Sequence, residues 1–337
     1  MSDIFNKLLI LRTPGVGPVK YKKLLNDFES AQQVLKVIGI APELYDAVSR
    51  EMEWAAAKNI LYISDDDELY PRALREIKNH PPIISVRGNV STLMKKMVSV
   101  VGTRHATATG MGFVADIANR FADNDIAVVS GMAIGTDTAA HRGALRASAD
   151  AVTVAVLAGG VDYVWPTENE SLYAEILERG IIISEMPVGY VPVATNFVQR
   201  NKLIAGLGEK LILGEADLKS GSMTTARFAI EMKREVWAIP SHPADLRAIG
   251  PNSLIRNGQA RLCMGADDFF EKDKKIEKKS KKVDAENSLI DALGTIPVSE
   301  SVLADVVKKP ISEIKSELVV LELQGFVRKV DGGYVRA

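Results

Sequence analysis

Four short stretches gather residue types that could hold phosphates. Gly102, Thr103 and Arg104 follow the apolar run "MVSVV", and Ser130 and Gly131 follow "IAVV", with Thr136 and Asp137 just beyond. The segment "NFVQRNK" supplies Phe197, Arg200, Asn201 and Lys202, and "KSGSMTT" supplies Lys219, Ser220, Gly221, Ser222 and Thr224. Together they are cationic, rich in hydroxyls and backbone amides, and include an aromatic ring. That set suits phosphate groups together with a base that can stack.

Other chemistries lack their motifs. No Gly-x-Gly-x-x-Gly follows the first strand, since Gly102 is next met by Gly110 and Gly112, and no Gly-x-x-x-x-Gly-Lys-Ser/Thr loop occurs. Hydride transfer and nucleoside-triphosphate hydrolysis by those routes are therefore not expected. Asp137 and His141 stand four apart on a predicted helix without a third ligand, and are read as a helix-start cap and a packing residue. His80, His105 and His242 are scattered, and no serine sits in a Gly-x-Ser-x-Gly elbow. Glu185 and Glu215 end their strands and are expected to satisfy nearby donors rather than act as an acid/base pair. The single Cys263 lies in the apolar run "RLCMG" and reads as a core thiol. No catalytic residue, metal or cofactor is assigned.

The elements that must position these residues follow from the apolar pattern. Strands are expected at 97–102, 126–130, 152–158, 181–185, 210–216 and 235–240, alternating with amphipathic helices. Continuous apolar strands separated by helices predict an α/β fold, a Rossmann-like doubly wound and mostly parallel sheet covered on both faces. In such sheets ligands bind beyond the carboxyl ends of the strands, where the residues above fall.

Flanking pieces differ. Residues 1–65 read as small helices, "FNKLLILRT", "PVKYKKLLNDF", "SAQQVLKVI" and "PELYDAVSREMEWAAAKN", a SAM-like or helix-hairpin-helix-like domain. In "TPGVGPVKYKKLL" the glycines Gly15 and Gly17 allow a tight turn at a helix start, either to grip phosphate or as part of a helical interaction module. Residues 66–271 form the Rossmann-like domain, with 66–96 leading into it, and 272–283 is a linker holding seven Lys against Asp273 and Glu277. Residues 284–337 show three helical stretches, "ENSLIDALGT", "SESVLADVV" and "ISEIKSELVVLELQGF", and then two strands about an Asp-Gly-Gly turn, the order of a winged helix. Its third helix carries Glu313, Glu317 and Glu322 against Lys315, which favours a protein contact over duplex reading.

A chain of 337 residues suits two or three domains, and the net charge of −1 averages over the basic linker. No apolar run approaches the roughly 20 residues of a membrane span, and the start lacks a leader pattern, so a cytoplasmic location is expected.

At the strand-end residues the chain resembles the DNA-processing protein A family, also called DprA or Smf. Matching stretches include "YPRALREI" (70–77), "VVGTRHAT" (100–107), "VVSGMAIGTDTAAHRGAL" (128–145), "VLAGGVDYVWPTEN" (156–169), "NFVQRNKLIAGL" (196–207), "EADLKSGSMTTARFA" (215–229) and "GPNSLIRNGQA" (250–260), in order along the central domain. The resemblance implies binding of single-stranded DNA without strong sequence preference, a homodimer, loading of the RecA recombinase, and no catalytic step. It also implies that the family's Gly-Ser-Arg motif falls on Gly102, Thr103 and Arg104, its Phe-x-x-Arg-Asn motif on Phe197, Arg200 and Asn201, and its Lys-Ser-Gly-Ser and Thr positions on Lys219 to Ser222 and Thr224. Thr103, Lys202, Gly214, Ser241 and Gln259 depart from the family pattern without removing a candidate phosphate contact.

The competing class is a phosphoribohydrolase of the lonely-guy type, which shares this kind of fold. Laying "KSGSMTTAR" over its catalytic segment puts Ala226 and Arg227 where a carboxylate is needed. For the arginines a second role also stands open, that of closing an ion pair with Asp137 or Glu215.

Overall fold

The structure is a computed structural model that describes residues 3–150, 152–270 and 289–337. It divides into two units, 1–272 and 273–337. The linker expected at 272–283 lies outside the described residues.

In the first unit, β1 (Ile60–Ser64), β2 (Ile83–Gly88), β3 (Lys96–Val101), β4 (Ile126–Ser130), β5 (Thr153–Val156), β6 (Ile181–Ser184), β7 (Lys210–Leu213), β8 (Glu235–Ala238) and β9 (Arg261–Leu262) form one sheet in the order 1-2-6-5-4-3-7-8-9. From β6 to β9 every neighbouring pair is parallel, whereas β2 pairs antiparallel with β6 and with β1. The chain winds outward from β3 through β4 to β6, then returns to the other side of β3 for β7 to β9. This reversal creates the crevice in which ligands of such sheets sit.

Alternation along the strands feeds two cores. Met97, Val101, Val129, Val154 and Ile183 face one layer with Leu203, Ile204, Ala226 and Leu254, while Val98, Val100 and Val128 face the other with Val114, Ile117 and Phe121. Four helices cover the first face: α5 (Arg72–Arg75), α9 (Ala194–Leu207), α10 (Gly221–Glu231) and α11 (Ile249–Arg256). Three more, α6 (Ala108–Asp123), α7 (Thr136–Leu145) and α8 (Glu170–Arg179), cover the second together with the short α12 (Asp267–Phe270). Cys263 is fully buried in that second layer, and burial pushes its thiol up to about 12.

Before the sheet, α1 (Asp3–Arg12), α2 (Pro18–Asp27), α3 (Ala31–Ile38) and α4 (Pro42–Ala57) follow the four helical stretches read from the sequence. Gly15 adopts φ +75°, the left-handed turn that lets Pro18 open α2. Residues 60–64, read as the end of the helical piece, instead form an edge strand, with Ile60 and Ile63 buried and Leu61 half exposed.

The second unit contains α13 (Glu300–Val307), α14 (Ile311–Leu323) and the hairpin of β10 (Val327–Val330) with β11 (Gly333–Arg336). Leu289, Leu293, Leu303, Ile314, Leu318 and Tyr334 make its separate core. The stretch "ENSLIDALGT" was expected to be helical, but its described part is a turn at 289–292. Leu289 and Leu293 reach the core from this turn, and residues 286–288 of the stretch lie outside the described residues.

Candidate nucleic-acid interface

Arg104 leaves the end of β3 as an exposed cation with no ion pair among the described residues. Its guanidinium lies 5.0 Å from the ring centre of Trp165, and that ring meets Phe197 edge-on at 4.9 Å. The cation and two aromatic rings thus adjoin over a narrow pocket lined by Gly131, Gly159, Tyr163, Trp165, Phe197 and Arg200. The pocket itself is water-sized, about 10 Å³, so a base would stack on the Trp165 and Phe197 rings rather than enter it, with the Arg104 cation left for a phosphate.

Arg200 forms the floor of this pocket and is not a free hand. It is 7 % exposed, and its Nη1 donates to the carbonyls of Gly131 at 2.5 Å and Val156 at 2.7 Å, while Nε donates to Asn201 Oδ1. Burial lowers its pKa to about 10, opposed by the nearby Asp137 carboxyl. The sequence left open an ion pair between Arg200 and Asp137; the structure shows carbonyl hydrogen bonds, with Asp137 acting through its field. Gly131 is required here, because a Cβ would lie 2.6 Å from Nη1 of Arg200.

Glu215 serves the loop that carries Arg104. Its two oxygens accept from the Thr107 amide at 2.7 Å and hydroxyl at 2.6 Å, and the Thr107 hydroxyl in turn accepts from Gly110 N–H at the start of α6. The Glu215 carbonyl also accepts from Thr103 N–H at 2.7 Å. Strand ends β3 and β7 are tied together, and Glu215 is occupied by donors as expected. Thr136 closes the same turn by donating from both its amide and its hydroxyl to the Thr103 carbonyl. Gly214 leaves room beside that threonine, where a Cβ would come within 3.3 Å of its methyl.

Beside this cluster, α10 opens on Ser220, whose hydroxyl accepts from Met223 N–H and meets Ser222 Oγ at 2.8 Å. Asn201 Nδ2 donates to the Gly221 carbonyl at 3.4 Å, joining α9 to this helix start. Lys219 is exposed beside it, and Thr224 accepts from Arg227. Free amides at the first turn of a helix favour an anion.

Of the expected residues Gly131, Phe197 and Arg200 line the pocket, and the others lie outside it. Lys202 lies over the Phe228 ring at 5.4 Å, near the mostly buried Glu185, whose pKa burial raises. Ser130 is fully buried and donates to the Val100 carbonyl, so it fastens β4 to β3. Trp165 and Tyr163 were not singled out from sequence. Their signal was an aromatic pair in the loop between β5 and α8, outside any apolar period.

His141 Nδ1 is 2.7 Å from the Thr153 hydroxyl, which itself donates to Val128, and burial lowers the imidazole pKa to about 3. Among the described residues no group of three His, Cys, Asp or Glu side chains could hold a metal ion. Ala226 is buried and Arg227 exposed on α10, so the carboxylate of a phosphoribohydrolase has no counterpart there. No helix among the described residues is long and apolar enough to cross a membrane.

Comparisons with known proteins cover all three pieces. Residues 61–274 match the family DNA recombination-mediator protein A, residues 2–60 a DprA-like N-terminal HHH domain, and residues 277–333 a DprA winged helix domain. Protein Smf of Synechocystis is 32 % identical over 84 % of this chain and 71 % of its own length, and Protein Smf of Escherichia coli is 30 % identical over 86 % and 81 %. An X-ray structure of DNA processing protein A from Streptococcus pneumoniae superposes with a TM-score of 0.68 at 28 % identity, over 82 % of this chain and 99 % of that one. A structure of DNA processing protein A from Helicobacter pylori, described by its single-stranded DNA binding mode, superposes with a TM-score of 0.57 at 28 % identity over 62 % and 93 %.

Proposed function

The chain belongs to the DprA/Smf family of DNA recombination mediators, and on that premise we propose that it binds single-stranded DNA across the carboxyl ends of β3 to β7. The bound strand would then be protected and passed to the RecA recombinase, without a catalytic step. One observation carries the reading of the site: an exposed Arg104, without an ion pair among the described residues, lies over the ring of Trp165, which with Phe197 and Arg200 lines the adjoining pocket.

Arg104 neutralises a phosphate while Trp165 and Phe197 offer faces to a base; neither distinguishes one base from another, so binding is sequence-tolerant. Gly102 and Thr103 shape the turn, Gly131 makes space for Arg200, and Arg200 holds that space and contributes positive potential. Lys219, Ser220, Gly221, Ser222 and Thr224 present the α10 amides and hydroxyls to a neighbouring phosphate, with Asn201 bracing that end. Lys202 extends the positive surface along α9. A homodimer would set two such pockets on one strand and raise avidity, and a cytoplasmic location fits a recombinase partner.

The test is fluorescence anisotropy of labelled oligo-dT titrated across salt. Each phosphate neutralised on a single strand adds about 0.7 to the slope of log K against log salt, so a pocket engaging about three gives a slope near −2 per protomer. Arg104→Ala is expected to weaken binding and flatten that slope by about 0.7. Wild-type affinity in a folded Arg104→Ala protein refutes the assignment.

A further inference from the structure

The pocket wall is made by two loops, 157–165 after β5 and 186–192 after β6, and the C-terminal end of α4 braces both. Lys58 Nζ lies 2.7 Å from Oδ2 of Asp162, whose side chain is only 4 % exposed. The other carboxylate oxygen of Asp162 accepts from Gly189 N–H at 2.7 Å. Lys58 also sits 4.5 Å above the ring of Trp54, one turn earlier on α4. That ring packs on Gly189, where φ is +76° and a Cβ would come within 3.0 Å of two ring carbons. One carboxylate therefore joins the helical piece, the 157–165 loop and the 186–192 loop.

From this brace the contacts run straight to the pocket. Gly160 N–H donates to the Tyr190 carbonyl at 3.0 Å, and Tyr163 N–H to the Gly160 carbonyl at 2.9 Å. A Cβ on Gly159 would lie 2.9 Å from Pro192 and 3.2 Å from Tyr163. Gly159, Tyr163 and Pro192 line the pocket, together with Trp165 two residues further on.

We propose that Lys58 and Trp54 are positioning residues for single-stranded DNA binding, holding the Tyr163 and Trp165 wall in place from the N-terminal helical piece without touching the strand. The proposal rests on the reading of the pocket given above. Removing Lys58 leaves the Asp162 carboxylate buried without its cation, and the cheapest relief is movement of the loop toward water. The pocket then loses its preorganised wall while every phosphate contact remains.

The experiment measures oligo-dT affinity across salt and thermal midpoint for the full chain as wild type, Lys58→Met, Lys58→Arg, Trp54→Leu and Arg104→Ala. Lys58→Met is expected to bind about tenfold more weakly, the scale of coupling between groups in one network. Its salt slope is unchanged, and Lys58→Arg restores affinity. Trp54→Leu, at a half-exposed position, behaves in the same slope-preserving way and decides the matter if Lys58→Met fails to fold. Wild-type affinity in folded Lys58→Met and Trp54→Leu overturns the proposal. So does a slope flattened by about 0.7 in Lys58→Met, which would make Lys58 itself a phosphate contact. If Arg104→Ala binds like wild type, the pocket reading itself has failed; if Arg104→Ala alone is weak, only the positioning role has.

Discussion

Two arginines with similar sequence credentials have different physical fates. Arg104 is exposed, lies over an aromatic face and has no ion pair among the described residues, so its charge is free to meet a phosphate, whereas Arg200 commits Nη1 to two main-chain carbonyls and Nε to Asn201. Both were legible as strand-end cations, but burial is set by the packing of α9 and cannot be read from residue type. His141 was likewise legible as a packing residue. Its folded pKa of about 3 lies below the ordinary histidine value, so between those two values the unfolded chain binds the proton and the folded one does not. The contribution of neutral His141 is thus fully present above about pH 6.5 and falls by about 1.4 kcal/mol per unit as pH drops below it. Urea midpoints at pH 7 and pH 5 should show His141→Gln losing about 2 kcal/mol less than wild type over that interval. Equal losses would refute this source of acid sensitivity.

At the scale of elements, the loop bearing Arg104 depends on a carboxylate from another strand. Glu215 holds Thr107 and so fixes where α6 begins. Glu215→Ala leaves the Thr107 amide without its acceptor and is expected to cost about 1–3 kcal/mol, read as a lowered thermal midpoint. Faster hydrogen exchange over residues 103–110 should accompany it, and an unchanged exchange pattern would remove Glu215 from this role. The central strands were legible because both faces are covered and the runs are continuously apolar, as in "IAVVS" and "IIISE". β1 and β2 were not, since "NILYIS" follows α4 with only the left-handed Asn59 as a stop, and both strands run as an antiparallel margin. In the second unit, the helical reading of "ENSLIDALGT" meets a turn at 289–292, with Gly294 two residues on and 286–288 outside the described residues.

For the whole molecule, the two units carry separate cores. The second buries Leu289, Leu303, Ile314 and Tyr334 among themselves, in a cluster that includes no residue of the sheet. Calorimetry of the full chain is therefore expected to show two transitions, with saturating oligo-dT raising only the one that belongs to the first unit. A single transition shifted as a whole would mean that the units unfold together. On α14, Glu317 pairs with Lys309, and Lys315 pairs with Glu300 of α13.

The sequence by itself determined the alternation of strand and helix, the flanking helical and winged pieces, and the concentration of cationic and hydroxyl side chains just beyond the strands. These follow from local periodicity and from the rule that parallel strands end on one edge. Tertiary structure alone decided which of those side chains stay in water, that Trp165 would stand between Arg104 and Phe197, and that α4 would reach Asp162. Such choices depend on contacts between segments about 30 to 100 residues apart in the chain. Packing fixes them, and no period or motif in a single stretch encodes it.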